Sequence, residues 1–206
     1  LWAFPAVWDA VAAAVPHRIA VRHAHRAVDW WTFARRAHGL ARAFLGAGLA
    51  AQAKVALYLH NSLEYMESVH ATGGTTGLPR GVMWRQHDLY LASNTTGDPE
   101  AADLAHVTAR VSSAARAPVG LSAPPLMHGT AFVFSATILN RGGTLVTLPG
   151  PFDAAAVLDA IAAHRVTDLC IVGDAFCRPI VEHLERDPSR HDLSSLQVVS
   201  SSGMAW

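Results

Sequence analysis

The stretch "TLVTLPGPFDAAAVLDAIAAHRVTDLCIVG", residues 144–173, decides the fold class. A short run of Thr, Leu and Val comes first, followed by a segment whose apolar residues recur at helical spacing. A second apolar run, "TDLCIVG", then closes the stretch. Two short buried strands with a helix between them are typical of a parallel crossover unit. These residues therefore predict a parallel sheet with helices packed on it.

The same alternation continues on both sides of this stretch. Upstream, "VGLSAPP" (119–125) predicts a strand and "GTAFVFSATILN" (129–140) a buried helix. Downstream, "DAFCRPIVEHLERD" (174–187) predicts a helix and "LQVVSSSG" (196–203) a strand that runs into a turn of small residues. The predicted fold class is therefore α/β, a layered fold built on a parallel sheet. Ligands of such sheets bind beyond the carboxyl ends of the strands.

The first half of the chain predicts a less regular succession of elements. The predicted elements are a helix from Phe4 to Pro16, a strand over 18–24, a helix over 33–48, a buried strand over 54–60, a helix beginning at 62–68 and a helix over 86–93. Thr32 is the predicted N-cap of the second helix, because its hydroxyl can accept from an unpaired backbone N–H. Residues 94–117 are polar and rich in Ala and Pro, which predicts a surface connection.

Composition and charge exclude several classes of function. Hydrophobic residues make up 51% of the 206 residues and charged residues 16%, which is typical of a well-buried globular protein. Basic and acidic residues balance at 16 each, so we expect no attraction to nucleic acid or to an anionic membrane surface. No apolar run reaches eighteen residues, so no membrane span is expected and a cytoplasmic location follows by default. Cys170 and Cys177 are predicted to be reduced core residues.

A glycine- and threonine-rich stretch, "HATGGTTGLPRGVMW" (70–84), cannot pack a core and predicts a loop. Its glycines allow the backbone to approach a ligand closely, and its threonines offer hydroxyl donors. Arg80 adds a guanidinium that can bind phosphate through two hydrogen bonds. We therefore predict a phosphate-binding loop. The residues assigned to it are Thr72, Gly73, Gly74, Thr75, Thr76, Gly77 and Arg80.

Two familiar phosphate motifs do not fit this loop. The Walker A pattern fails because no Lys-Ser/Thr pair follows a correctly spaced glycine pair, and the G-x-G-x-x-G pattern fails as well. "TGGTTGLP" is close to the loop of short-chain dehydrogenases, with Pro79 at the place of the last glycine. Those enzymes need a Tyr four residues before a Lys, whereas Ala50 precedes Lys54, the only lysine. A nicotinamide-dependent oxidoreductase is therefore the weakest alternative.

Three motifs in order resemble the adenylate-forming (AMP-binding) enzymes, which include acyl-CoA synthetases, luciferases and peptide-synthetase adenylation domains. They are "TGGTTGLPRGV" (72–82), "PPLMHGTA" (124–131) and "VVSSSGMAW" (198–206). Arg80 stands where Lys is more common in that family. The segment "MWRQHDL" (83–89) narrows the likeness to bacterial fatty-acid–CoA ligase-like members. The resemblance implies a layered parallel-sheet fold like part of the large N-terminal domain of acyl-CoA synthetases.

The resemblance also implies a reaction and a set of site residues. A carboxylate of a small-molecule acid attacks the α-phosphorus of ATP, and a thiol, usually that of coenzyme A, then takes the acyl group. The implied cofactors are ATP, Mg²⁺ and coenzyme A, and the loop from Thr72 to Arg80 would bind the β- and γ-phosphates. His128 would lie beside the reacting carboxylate as a hydrogen-bond donor or aromatic gate. Ser202 and Gly203 would contact the adenine and the acyl group.

The chain departs from the family pattern between its helical "NSLEYMES" (61–68) and the glycine loop. Only "VHA" separates them, where relatives carry a full subdomain. We therefore expect residues 1–206 to be a partial N-terminal domain with an internal deletion near 68–71 and without the C-terminal domain. A non-catalytic remnant that binds nucleotide or acyl groups is the alternative. The identity of the acid, the thiol acceptor and the existence of a homo-oligomer stay open.

Other residues with chemical potential have structural interpretations. "HAH" (23–25) alternates along a strand with no third ligand nearby, which favours a solvated face over a metal site. No metal-ligating residue is predicted anywhere in the chain. Trp30 and Trp31 precede a predicted helix, and we expect them to pack against it rather than stack on a ligand.

Overall fold

The computed structural model describes residues 3–50, 53, 55–72, 86–93 and 103–203. Its helices are α1 (Phe4–Ala14), α2 (Trp30–Gly46), α3 (Leu63–Thr72), α4 (Gln86–Ser93), α5 (Leu104–Ser113), α6 (Gly129–Asn140), α7 (Ala154–His164) and α8 (Asp174–Arg186). Its strands are β1 (Ile19–His23), β2 (Arg26–Asp29), β3 (Val119–Ser122), β4 (Thr144–Thr147), β5 (Asp168–Ile171) and β6 (Val198–Ser201). None of the helices in these ranges is both long and apolar enough to cross a membrane.

The strands form one sheet in the order β2-β1-β4-β3-β5-β6. All neighbouring pairs are parallel except β1 and β2, which form an antiparallel hairpin. Helices α6, α7 and α8 each connect one parallel strand to the next along the chain. The parallel α/β fold predicted from residues 119–203 is therefore confirmed, with helix α6 at the predicted bounds.

The sheet separates two hydrophobic clusters. Leu145 belongs to the cluster that contains α1, α2 and α3, whereas its neighbour Val146 belongs to the cluster with α7 and α8. Successive strand residues point to opposite faces, so both faces of β4 are buried. Gly120 lets α6 lie directly on β3, since a Cβ there would come within 2.4 Å of Ile138 Cγ1. The architecture is thus three layers: helices, sheet, helices.

The start of α2 differs from the sequence prediction. The helix begins at Trp30, and Asp29 is its N-cap: the carboxylate Oδ1 accepts from the Thr32 backbone N–H at 2.7 Å. Thr32 as N-cap was therefore wrong. The reason is β2, a four-residue, half-exposed strand that sequence periodicity did not predict and that ends at Asp29. Trp30 packs edge-on against Phe33 and is fully buried.

Two further predictions for the first half were wrong. Residues 55–60 form no strand, and Tyr58 and Leu59 are exposed. A strand needs a neighbour for its backbone groups, and no described strand pairs with this segment. Residues 104–113, predicted as part of a surface connection, form α5, whose Val107 and Val111 are buried in the cluster that contains α1.

Candidate functional site

Three loops of the chain meet at the carboxyl edge of the sheet, because β3, β5 and β6 run in parallel. They are the loop at 123–128, the turn at 172–173 and the turn at 202–203. The backbone N–H of Gly173 donates to Ser201 Oγ at 3.0 Å, and Ala123 N–H donates to the Cys170 carbonyl at 3.1 Å. These hydrogen bonds hold the loops at the carboxyl edge of the sheet, which is where ligands of parallel sheets bind.

His128 is the N-cap of α6, and it lies against Gly203. Its Nδ1 accepts from the Thr130 backbone N–H at 3.2 Å, so the neutral ring carries its proton on Nε2. That nitrogen is therefore the one that can donate to a ligand. A Cβ at Gly203 would lie 3.5 Å from His128 Cε1. Two residues predicted from separate motifs are thus brought together.

Ser202 connects the turn at 202–203 to helix α6. Its hydroxyl and that of Thr130 share a hydrogen bond of 2.6 Å. Gly203 has φ +93°, a left-handed conformation that a side chain would strain. The amino terminus of α6 also carries the positive end of the helix dipole. The site therefore combines a hydroxyl donor, an imidazole donor and a helix dipole, which suit a carboxylate.

A cavity of about 750 Å³ opens between α6 and β6 at this point. Thr130 and Ser202 line one end, and Arg141 lines the other. The twelve residues of α6 span about 18 Å. Between the ends, Val133, Phe134, Ile138 and Val198 form an apolar part of the wall, and polar residues such as Thr137, Thr167, Asp168 and Gln197 form the rest. Such a volume lies in the range of small-ligand pockets.

Sequence reasoning missed the residues of these walls. Phe134 and Ile138 recur at the i, i+4 spacing that equally indicates a core-facing helix. It also missed the support of the loop before His128: Asn61 Oδ1 accepts from Leu126 N–H at 2.7 Å, and the Tyr65 hydroxyl contacts the Leu126 carbonyl at 3.5 Å. Burial raises the pKa of the Tyr65 phenol, which keeps it a donor.

The predicted phosphate loop lies mostly outside the described residues. Gly73, Gly74, Thr75, Thr76, Gly77 and Arg80 all belong to that part of the chain. Thr72 is the last residue of α3 and hence follows Tyr65 by about 10 Å of helix. The role of these residues in binding phosphate stays a prediction.

The sequence profile of a family described as "AMP-binding enzyme" matches residues 71–206, about two thirds of the chain. Among curated relatives, the medium-chain acyl-CoA ligase Mig of Mycobacterium avium is 37% identical over 139 residues. The match covers 64% of this chain but 24% of the relative, so the chain spans about a quarter of that protein's length.

Solved structures show the same fold at low sequence identity. A putative long-chain-fatty-acid CoA ligase from Rhodopseudomonas palustris has a TM-score of 0.77 at 17% identity, covering 98% of this chain and 70% of that one. The o-succinylbenzoate CoA synthetase of Bacillus subtilis, in complex with its acyl-adenylate intermediate, has a TM-score of 0.73 at 16% identity. That match covers 97% of this chain and 68% of the synthetase.

Proposed function

Since the chain belongs to the AMP-binding enzyme family, we propose that it forms part of a ligase that activates a medium- or long-chain carboxylic acid with ATP. The carboxylate attacks the α-phosphorus, pyrophosphate leaves, and the thiol of coenzyme A then takes the acyl group from the adenylate. One observation carries the proposal: His128 and Gly203 lie against each other beside Thr130 and Ser202, which line one end of the cavity.

The carboxylate of the acid would lie at the amino terminus of α6. There the helix dipole, the one hydroxyl hydrogen that the Thr130–Ser202 pair leaves for a ligand and the Nε2–H of His128 all favour negative charge. Donors fixed in advance stabilise the charge that develops as the adenylate forms. The cap bond holds the ring of His128 in place, so its Nε2–H can orient the carboxylate.

The acyl chain would extend along α6 toward Arg141. The walls offer Val133, Phe134 and Ile138 on the helix and Val198 on β6. Burying an alkyl chain against such a surface contributes about 0.8 kcal/mol per methylene group. Gly203, without a side chain, leaves the carboxylate end open toward the nucleotide.

The nucleotide would be bound by the glycine loop from Thr72 to Arg80. Backbone amides, threonine hydroxyls and the Arg80 guanidinium are suited to the β- and γ-phosphates. Mg²⁺ accompanies ATP in this proposal and supplies charge neutralisation of the phosphates, and coenzyme A is the second substrate.

The domain assignment is also a proposal. We propose that residues 1–206 are a partial large domain with an internal deletion near 68–71. The profile match begins at residue 71, next to that junction, and α3 runs unbroken through it from Leu63 to Thr72. The chain also spans about a quarter of the M. avium relative.

Binding of a non-hydrolysable medium-chain acyl-adenylate analogue, measured by calorimetry, tests the acyl site. Val198→Phe narrows the cavity from β6 and should weaken binding on the order of tenfold, since the ring displaces ligand carbon atoms. Val199→Phe is the matched control, because this neighbour is similarly exposed but does not line the cavity. Equal affinity of Val198→Phe and Val199→Phe for the analogue would contradict the assignment of the cavity as the acyl site.

ATP–pyrophosphate exchange with a panel of fatty acids separates an active ligase from a binding remnant. Exchange that depends on the acid supports the catalytic function for this chain. Analogue binding without exchange supports the remnant that binds acyl or nucleotide groups. If neither is observed, the proposed function is wrong for this chain.

A further inference from the structure

Two histidines and one aspartate from three different helices meet at one point. Asp9 lies on α1, His38 on α2 and His70 on α3. Nε2 of His38 is 2.9 Å and Nε2 of His70 is 3.0 Å from the same carboxylate oxygen, Oδ1 of Asp9. Their three ligand atoms lie within 4.8 Å of one another. None of these residues belongs to the proposed acyl site.

We propose that Asp9, His38 and His70 bind a divalent transition-metal ion, with Zn²⁺ the best suited. Two imidazole nitrogens and a carboxylate oxygen form a ligand set that zinc takes in three-ligand sites, with water at the fourth position. Zinc bonds of about 2.0–2.2 Å in a tetrahedron place neighbouring ligand atoms about 3.3 Å apart. The two observed N···O separations of 2.9 and 3.0 Å need only a small expansion, and the two imidazole nitrogens lie within 4.8 Å of each other. Ca²⁺ and Mg²⁺ prefer oxygen ligands.

The surroundings of His70 hold its ring in place for this role. Its side chain is 1% exposed. The ring packs edge-on against Trp8 at 5.5 Å and lies 5.2 Å from the ring of Phe33. These contacts fix the direction of Nε2 toward Asp9 before any ion arrives. A preformed ligand reduces the ordering cost of binding.

When Nε2 of a neutral histidine binds a metal ion, Nδ1 is the nitrogen that carries the proton of the ring. His70 Nδ1 is buried, and within the described ranges it has no hydrogen-bond partner. Without an ion, the carboxylate of Asp9 can only accept, so Nε2 of the neutral His70 ring carries the proton and donates to Asp9 Oδ1. A bound ion would replace that hydrogen bond, and the proton of the ring would then be carried by Nδ1.

The site is open on one side. The side chains of Asp9 and His38 are 42% and 51% exposed, so an ion and a water can reach the ligand atoms from solvent. His38 and His70 follow Asp9 by 29 and 61 positions along the chain. A bound ion would therefore link α1, α2 and α3. The sequence predicted no metal ligands, because residues so far apart along the chain form no recognisable local motif.

Titration of metal-stripped, untagged protein with zinc chloride tests the site. We expect one ion per chain, with a loss of at least about tenfold in affinity for His38→Gln and Asp9→Asn. His25→Gln is the matched control: it removes an exposed histidine of the "HAH" segment and should leave the affinity unchanged. With Co²⁺ in place of zinc, the visible absorption of the ion reports coordination by nitrogen and oxygen.

Zinc should also raise the thermal unfolding midpoint of the wild type and not that of His38→Gln, since the ion binds the folded chain. His70→Gln changes a buried residue, and if that variant does not fold, the exposed His38→Gln decides the question. Circular dichroism confirms that each variant is folded. Absence of stoichiometric binding, or equal affinity in wild type and His38→Gln, would overturn the proposal. Neither outcome depends on activity toward a carboxylic acid.

Discussion

At the scale of single residues, close approach of backbone segments gives glycines very different roles. A Cβ at Gly143 would lie 2.5 Å from the Pro118 carbonyl oxygen and 2.9 Å from the Ile138 carbonyl oxygen. Both are backbone atoms, which cannot rotate away. Gly39, inside α2, would have nothing within 4 Å of an added Cβ. The same substitution should therefore act in opposite directions at these two positions.

We predict that Gly143→Ala lowers the free energy of unfolding by about 1–3 kcal/mol, because the turn from α6 into β4 must shift. Gly39→Ala, the control, should raise it by about 0.5–1 kcal/mol through reduced backbone entropy in the unfolded chain. Urea unfolding followed by circular dichroism measures both. A Gly143→Ala variant as stable as wild type would show that the predicted contact does not exist.

The two cysteines differ in their surroundings. Burial raises the pKa of the Cys170 thiol to about 12, whereas Cys177 is partly exposed on α8. The thiolate is the reactive form, so Cys170 should be inert while the protein is folded.

We predict that iodoacetamide at pH 8 labels one cysteine, Cys177, in the folded chain and both in denaturant, as counted by mass spectrometry. Cys177→Ser should give no label without denaturant. The raised pKa also sets a pH dependence: its contribution to stability is fully present below pH 9, the ordinary value, and is lost as pH rises toward 12. Labelling of Cys170 at pH 8 would contradict its burial.

At the scale of elements, the second half of the chain was predictable and much of the first half was not. Helices α6 and α7 and strands β4 and β5 are continuous apolar or helical patterns bounded by Gly, Pro or Asp, so local sequence determines them. Strand β2 has four residues and is half-exposed, so it carries no alternation to recognise. Residues 55–60 look like a strand, but pairing depends on a neighbour, which local sequence does not encode.

The cap of α2 provides a test at this scale. Hydrogen bonds from Thr32 lower the pKa of Asp29. We predict that Asp29→Ala destabilises the protein by about 1 kcal/mol at neutral pH, as loss of an N-cap does. Thr32→Ala keeps the backbone N–H that donates to Asp29, so it should lower the stability less than Asp29→Ala does. Because the pKa of Asp29 is lowered in the folded state, the cap's contribution should disappear as pH falls below about 4.

Thermal unfolding of both variants at neutral and acidic pH measures this difference. If Thr32→Ala lowered the stability more than Asp29→Ala, Thr32 would be the N-cap after all, and the assignment of Asp29 as N-cap would be wrong.

At the scale of the whole molecule, one sheet joins two cores. Leu121 on β3 and Leu145 on β4 are both fully buried, yet they belong to different hydrophobic clusters. The buried tryptophans Trp8 and Trp30 lie only in the cluster of Leu145. In a background with the other four of the six tryptophans replaced by Phe, their fluorescence therefore reports directly on one side of the sheet.

We predict that Leu121→Ala and Leu145→Ala each lower the free energy of unfolding by about 2–5 kcal/mol. Both should shift the tryptophan fluorescence transition by as much as the circular dichroism transition, because strands shared by the two cores couple their unfolding. A fluorescence midpoint that Leu121→Ala leaves unchanged would show that the two sides unfold independently.

The candidate site was predictable only in part. His128, Ser202 and Gly203 follow from motifs, and the structure places them together. The apolar walls and the support from Asn61 and Tyr65 depend on tertiary packing between segments remote in sequence, so no local pattern reveals them. The same holds for Asp9, His38 and His70, which three separate helices bring together.

The bare backbone of Gly120 makes the width of the proposed acyl cavity adjustable from the β6 side only. Ile138 and Phe134 rest on that glycine, so α6 cannot sink further toward the sheet, and any bulk added there would push the helix outward. Wider or branched acids would then have to be accommodated by β6, through residues such as Val198, while the helix stays fixed. Relatives with different substrate ranges should accordingly differ most at β6.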